Sequence, residues 1–110
     1  MSYDQELDNR VTDAITKLRV SVIQKKMFGG TCNLLNGNMM CGVYKDYVIL
    51  RLGEEQGDMA LSRPHTRPFD MTGRPMKGWV MLEMRGFEKD EELKEWLNKA
   101  RNFAKALPAK

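Results

Sequence analysis

The sequence has little of what metal sites, catalytic dyads and membrane spans require. Its 110 residues include one histidine, His65, and two cysteines, Cys32 and Cys41. A zinc site needs several converging imidazole, thiolate or carboxylate ligands, so we expect no metal. No apolar run approaches the roughly 20 residues that span a bilayer, and the polar, acidic amino terminus is no signal peptide. We therefore expect no membrane association and a cytoplasmic protein whose thiols are reduced.

Catalytic and phosphate-binding motifs are missing as well. His65 lies in a loop between Pro64 and Thr66, with no motif for a serine or cysteine nucleophile beside it. The glycines have neither the spacing of a dinucleotide fingerprint nor that of a Walker motif. We expect no catalytic residue, no cofactor and no enzyme activity. The formal net charge of +3 is too small to indicate nucleic acid by itself.

The most informative segment is a hairpin centred on Asn36 and Gly37. Asn-Gly between two apolar runs favours a two-residue type I′ turn, because both central residues need positive φ. A regular register from this turn would place Cys32 directly opposite Cys41. Their Cα atoms would then lie about 4.5 Å apart, close enough for a disulfide, so the pair is a candidate redox switch. The alternative is that both are small buried hydrophobic residues.

The apolar pattern continues from this hairpin into a third strand, Asp46 to Leu52. A tight turn at Lys45 and Asp46 would keep the apolar side chains of neighbouring strands on one side of the sheet. The side chains expected on the helix-facing side are Cys32, Leu34, Met39, Cys41, Val43, Val48, Leu50 and Leu52. Those expected on the opposite side are Leu35, Met40, Tyr47 and Ile49, with Trp79 and Met81 as candidates to join them.

Two amphipathic helices are predicted at the ends of the chain. Apolar residues recur at spacings of three and four in the first: Leu7, Val11, Ala14, Ile15 and Leu18. Ser2 and Gln5 fit its capping box, and Asp90 is the expected cap of the last helix, whose apolar stripe runs from Leu93 to Leu107. We expect one α+β domain over residues 1–110. It would be a two-layer sandwich, with the N- and C-terminal helices on one face of an antiparallel sheet of about five strands.

Basic and aromatic residues are interleaved between Arg63 and Arg85. Arginine and tryptophan are typical anchors of protein interfaces, whereas cations beside exposed aromatic rings also suit phosphates and stacked bases. An ordinary solvated rim is the third interpretation. We select as partner-binding residues Arg67, Arg74, Lys77 and Trp79, together with Tyr47 and Ile49 on the side of the sheet away from the helices.

Three sequence blocks resemble a known family. They are Lys26-Met27-Phe28-Gly29-Gly30, then Asn36-Gly37 with Met40-Cys41-Gly42-Val43, then the run FDMTGRPMKGWV from Phe69 to Val80. In this order, and over nearly the whole chain, they resemble the signature blocks of the TfoX N-terminal domain family. The resemblance implies a small bacterial α+β domain found in regulators of natural competence that act beside a transcription activator. It carries over no catalytic residue.

The functional expectation combines the residues with this resemblance. Competence regulators of the family continue into a second, helical domain, whereas this sequence ends at Lys110, so we expect a stand-alone copy of the first domain. We expect a non-enzymatic binding domain that recognises a protein and forms a homodimer, and the resemblance implies a transcription activator as its partner. The alternatives are a nucleic-acid-binding accessory of transcription and a thiol-based redox switch.

Overall fold

Along the chain, the β-strands lie between an N-terminal and a C-terminal helix. The computed structural model describes residues 3–27, 29–70, 73 and 76–109. The elements in chain order are α1 (Gln5–Lys17), β1 (Ile23–Met27), β2 (Gly30–Leu35), β3 (Asn38–Tyr44), β4 (Tyr47–Arg51), α2 (Glu54–Leu61), β5 (Thr66–Pro68), β6 (Trp79–Leu82), a 3₁₀ turn (Met84–Phe87) and α3 (Asp90–Ala106). The strands form one sheet in the order β1-β2-β3-β4-β6-β5, and every neighbouring pair is antiparallel. The described residues thus contain six strands, one more than expected.

All the described helices pack against the same face of the sheet. One buried cluster joins the apolar stripes of the helices to inward-facing strand residues, among them Leu7, Val11, Ala60, Leu93, Leu97, Val43, Val48, Leu50 and Leu82. Because side chains alternate between the two sides of a strand, the residues between these strand positions point away from the helices. The predicted two-layer α+β sandwich with one covered face is confirmed.

Both end helices begin close to their predicted starts. The Asp4 carboxylate caps α1, where its Oδ1 accepts hydrogen bonds from the N–H groups of Glu6 at 2.9 Å and Leu7 at 3.1 Å. Ser2, the predicted cap, lies outside the described residues. The cap predicted at Asp90 is wrong by one residue: Lys89 holds that position, and Asp90 is the first residue of α3.

The first hairpin turns where predicted but contains a β-bulge. Asn36 and Gly37 have φ of +53° and +82°, as a type I′ turn requires. The pairing then slips by one residue at Met40, so that Cys41 lies opposite Asn33 and Cys32 lies opposite Gly42. The predicted pairing of the two cysteines is therefore wrong. An extra residue in one strand shifts every later pair, and a regular hairpin register does not anticipate it.

The bulge also exchanges the sides of several hairpin residues. Met40 joins Cys41 in the core, and Leu35 packs against that core, although both Met40 and Leu35 were predicted on the opposite side. Conversely, Cys32, Leu34 and Met39 leave the predicted helix-facing side. Cys32 and Leu34 alternate with Asn33, which faces the helices, and Met39 pairs with Leu34. The register of β3 with β4 is as predicted, with Val43 opposite Val48 and Cys41 opposite Leu50.

A buried polar network connects α1 to the first strands. The Asp8 carboxylate Oδ1 accepts hydrogen bonds from Thr31 Oγ1 at 2.8 Å and from Gln24 Nε2 at 3.2 Å. The Asn33 amide donates to the Cys41 sulfur at 3.7 Å. Asp8, Thr31 and Asn33 are all buried. Buried polar groups are costly without partners, so this network supplies the partners that let polar residues occupy helix-facing positions.

Candidate functional site

The side of the sheet away from the helices is the candidate site, and we call it the open face. Its register pairs Arg51 with Trp79, Ile49 with Met81, and Met81 with Arg67 on the outer strand. Paired residues of an antiparallel sheet share a side, and so do residues two apart on a strand. The open face therefore includes Ile23, Lys25, Cys32, Leu34, Met39, Tyr47, Ile49, Arg51, Arg67, Trp79 and Met81.

Apolar side chains form the floor of the open face, beneath longer amphipathic ones. Ile49 and Met81, which pair across β4 and β6, are only 4% and 8% exposed. Tyr47, Arg51 and Trp79 are half-buried, and the Arg67 side chain is 60% exposed. Aromatic and arginine side chains bury apolar stems while keeping a polar end in water. What the open face presents is therefore a set of rings and guanidinium groups.

A charged cluster lies at one end of the open face. Arg67 Nη2 lies 3.3 Å from Glu83 Oε1, and its guanidinium lies 5.9 Å from the centre of the Tyr47 ring. His65 Nδ1 lies 3.9 Å from the other oxygen of Glu83, and the Glu83 backbone N–H donates to the His65 carbonyl at 2.9 Å. Only one Arg67 nitrogen is used in the ion pair, and a guanidinium has five N–H donors. Arg67 thus keeps donors for a further acceptor.

An aromatic cluster lies at the other end. The Arg51 guanidinium lies 5.2 Å from the centre of the Trp79 ring and 5.6 Å from that of Phe103, a residue of α3. Phe69 extends the cluster, with its ring centre 5.8 Å from that of Trp79. Arginine over aromatic faces is held by cation–π attraction. Arg51 makes no hydrogen bond or ion pair with the residues that the structure describes, so its donors are unused there.

Gly53 makes room for the contact between Phe103 and the end of the sheet. Its φ is +86°, and a Cβ built there would lie 2.6 Å from Phe103 Cε1. A larger residue at position 53 would be strained by the positive φ, and its side chain would clash with the Phe103 ring. Glycine therefore lets a helix of the covered side reach around to Arg51 on the open face.

A shallow depression adjoins the charged cluster. It has a volume of about 420 Å³ and is lined by Asp46, Tyr47, Glu83, Met84 and Arg85. Met84 is among the more exposed large apolar side chains of the protein. The depression therefore offers a ring, a thioether and charges of both signs beside Arg67.

The predicted partner-binding residues are distributed as follows. Arg67, Trp79, Tyr47 and Ile49 share the open face, with Ile49 in its buried floor. Lys77 lies in the turn before β6, where its Nζ is 3.5 Å from Glu54 Oε1 and both side chains are well exposed. Arg74 lies outside the described residues. The structure thus brings four of the selected residues together and sets Lys77 beside the aromatic cluster.

The two cysteines are buried free thiols on opposite sides of the sheet. Burial raises the pKa of Cys41 to about 12, although the Asn33 amide opposes part of that rise. Burial raises the pKa of Cys32 as well. Because the thiolate is the reactive form, both residues have the character of inert structural cysteines. The cross-strand contact on which the redox-switch hypothesis depended is absent.

Among the residues of the candidate site that were not selected from the sequence, Arg51, Glu83 and Phe103 make its main contacts. Arg51 follows Ile49 by two positions, so strand alternation already placed it beside Tyr47 and Ile49. Phe103 belongs to the apolar stripe of α3, and nothing in that stripe indicates that it reaches the far end of β4. Glu83 comes directly after β6, and no motif around it in the sequence indicates a contact with Arg67.

No group of three or more His, Cys, Asp or Glu side chains is placed to hold a metal ion in the part of the chain that the structure describes. Within the same residues, no helix has the length and apolar character needed to cross a bilayer.

The fold and the open face define a class: a small α+β sandwich with helices on one side and an exposed arginine-aromatic surface on the other. A comparison with known protein families matches residues 15–104 to the TfoX N-terminal domain. The chain belongs to the TfoX N-terminal domain family, which suggests a domain related to competence regulation. Comparisons with curated proteins and with solved structures gave no match.

Proposed function

We propose that this domain is a non-enzymatic binding module, working in the cytoplasm, that recognises another protein through its open face. Regulation of transcription or competence is the process that the family suggests, and a transcription activator is the partner we expect. The proposal rests on one observation in particular: the described helices all pack on one side of the sheet. The other side is left with half-buried rings and arginines, the residue types that anchor protein interfaces.

The arrangement of the open face supports recognition rather than simple solvation. A solvated sheet face carries polar residues above a polar floor, whereas here Ile49 and Met81 lie under Tyr47, Arg67 and Trp79. Rigid rings on a strand lose little conformational entropy when a partner covers them. Such a surface can bind a partner without a change in the fold of the domain.

Photo-crosslinking in the native cells tests this proposal. A benzophenone amino acid replaces Tyr47 or Leu34 on the open face in two separate variants. In two control variants it replaces Lys94 or Asn102, which are exposed on α3. We expect the open-face positions to give a discrete crosslinked protein band that the α3 positions do not give. The band is then cut out and identified by mass spectrometry.

The outcomes separate the alternatives. Crosslinks that form only from Lys94 or Asn102 would place the partner on the helices and contradict the proposal. Crosslinks from the open face that vanish after nuclease treatment would favour nucleic acid. Turnover of a small molecule by the purified domain, lost with an open-face substitution, would contradict a non-enzymatic role.

The homodimer expected from the sequence stays a prediction. Size-exclusion chromatography with light scattering measures the mass directly, at several protein concentrations. A monomer at the highest concentration would contradict the dimer while leaving a different protein partner in place.

Nucleic acid is the alternative occupant of the same residues. Contacts to phosphates would release counterions, so binding would weaken steeply as salt is raised. The Glu83 carboxylate, within the charged cluster, opposes a phosphate backbone whose charges are regularly spaced. A gel shift at low salt with duplex and single-stranded DNA checks this alternative.

A further inference from the structure

The charged side chains that the strands contribute to the open face have one sign. Among the described residues of the six strands, those that point to this side include Lys25, Arg51 and Arg67 and neither aspartate nor glutamate. The nearest carboxylate is that of Glu83, directly after β6, and it is already engaged by Arg67 and His65. Asp46 and Glu83 line the depression at the edge of the open face. A partner that lies on the strands themselves therefore meets Lys25, Arg51 and Arg67.

We propose that the open face binds an acidic protein segment whose carboxylates pair with Arg67 and Arg51. This inference rests on the proposed function and names the chemistry of its partner. Complementary charge is what steers and orients protein association, and arginine binds carboxylates through two parallel N–H donors. Arg67 retains unused donors, and Arg51 has no acceptor among the described residues.

The geometry of the sheet sets the spacing that such a segment needs. Arg51 and Arg67 lie on strands that flank β6, and their partners on β6, Trp79 and Met81, are two residues apart. Strand separations of about 4.8 Å and a rise of about 3.3 Å per residue put their Cα atoms roughly 12 Å apart. Residues four apart on an extended chain are separated by about 13 Å. The guanidinium groups diverge from these Cα atoms, toward Glu83 for Arg67 and toward Phe103 for Arg51. Two acidic residues at least four apart therefore match the two arginines, with apolar residues between them over β6.

Two other occupants fit less well. A second copy docked face to face about a two-fold axis would oppose the same cations on both sides, and like charges brought together disfavour association. A nucleic acid carries a phosphate on every nucleotide, and the Glu83 carboxylate repels a phosphate placed beside it. A protein segment can instead place an uncharged residue opposite Glu83. The acidic segment is therefore the occupant that the charges favour.

Selection from a phage-displayed library of random dodecapeptides tests the chemistry without a known partner. The pool is selected on the wild type and on Arg51→Gln/Arg67→Gln. A third selection uses the control Arg19→Gln/Lys94→Gln, which loses the same charge at exposed positions outside the open face. We expect peptides rich in Asp and Glu, with pairs at least four apart, from the wild type and the control but not from the double variant. A neutral or basic pool, or an acidic pool that survives in the double variant, would overturn the proposal.

The best acidic peptide then locates the site. In a titration followed by amide NMR, we expect shifts in β4, β5 and β6, and none from the peptide with Asn and Gln in place of its acids. Each arginine substitution should weaken binding about tenfold, as expected for a charged hydrogen bond. Shifts confined to α1 or α3 would overturn the assignment. The free-variant spectra report folding, and if Arg51→Gln is unfolded, the exposed Arg67→Gln carries the measurement alone.

Failure here is distinguishable from failure of the proposed function. If crosslinking identifies a protein on the open face while the selected peptides are not acidic, the binding module stands and its partner chemistry is wrong. If the open face gives no protein crosslink and no acidic peptide, both are wrong. A dodecathymidine oligonucleotide, titrated in parallel, detects a general preference for polyanions, and binding as tight as that of the peptide would overturn a protein-specific site.

Discussion

The covered and open sides of the sheet use neighbouring residues for different purposes. On β4, Val48 and Leu50 are fully buried beneath the helices, while Tyr47 and Arg51 reach the surface of the other side. The covered side is continuous and apolar apart from the Asp8 network. The open side keeps its apolar residues as a floor and exposes rings and cations. Stability and recognition are thus separated by the strand pleat alone, so substitutions on the two sides should have separable effects.

The largest effect is expected from the covered side. Leu50→Ala removes a fully buried side chain from the core, and leucine-to-alanine changes of this kind cost about 2–5 kcal/mol. Tyr47→Ala, three residues away on the open side, should cost distinctly less, because its ring is only half-buried. Urea unfolding of both variants measures the difference. Equal losses would contradict the division between the two sides.

The buried polar network should come next. Thr31→Val keeps the shape of the side chain but removes the hydroxyl that donates to Asp8 at 2.8 Å. Leaving a buried acceptor short of a partner costs about 1–3 kcal/mol. Thr16→Val is the matched control, since the Thr16 hydroxyl bonds only to the Thr12 carbonyl on an exposed part of α1. A loss of stability in the control as large as that in Thr31→Val would show that the network is not the cause.

High pH should destabilise the fold through Cys41. Its folded pKa of about 12 lies above the unfolded value of 9.0, so the unfolded chain loses this proton first. Its contribution is fully present below pH 9 and is lost as the pH rises toward 12, with about 1 kcal/mol lost by pH 10. The difference in free energy of unfolding between wild type and Cys41→Ala, measured from pH 8 to 10, isolates this group from the lysines and tyrosines. A constant difference would contradict the prediction.

The smallest effect on stability is expected from the open face. Arg67→Gln removes an ion pair with Glu83, and exposed pairs contribute about 0–1 kcal/mol. The same change should nevertheless remove crosslinking to the partner, which measures recognition and not folding. Glu83→Gln is the companion variant, because it frees Arg67 and should strengthen binding of an acidic segment. A large loss of stability in Arg67→Gln would mean that the charged cluster is structural.

Much of the covered side could be predicted from the sequence. Helical stripes and the β3–β4 register follow from spacing and turn residues, which act over a few positions. The bulge at Met40 could not be predicted, because Leu34 and Leu35, like Met39 and Met40, are adjacent apolar pairs. The regular register and the bulged register each bury one member of each pair. The alternation of apolar residues therefore does not distinguish the two registers.

The candidate site divides in the same way. Tyr47, Arg67 and Trp79 were selected because rings and arginines in strands are recognisable locally. The contacts that form the two clusters of the site join distant parts of the chain: Phe103 with Arg51, and Glu83 with Arg67. Thr31 and Asn33 escaped prediction as buried residues for the same reason, since their polar partner Asp8 comes from α1.

The bulge at Met40 also makes one position of the hairpin unlike the others in how it responds to a change of length. Deleting that one codon would leave Asn33 opposite Cys41 and Leu34 opposite Met39, so the inward and outward sides of both arms would be kept. A single-residue deletion there would therefore act like the loss of one buried side chain. Sequences descended from a common ancestor should accordingly tolerate a gap at this place better than one in the regularly paired part of β2.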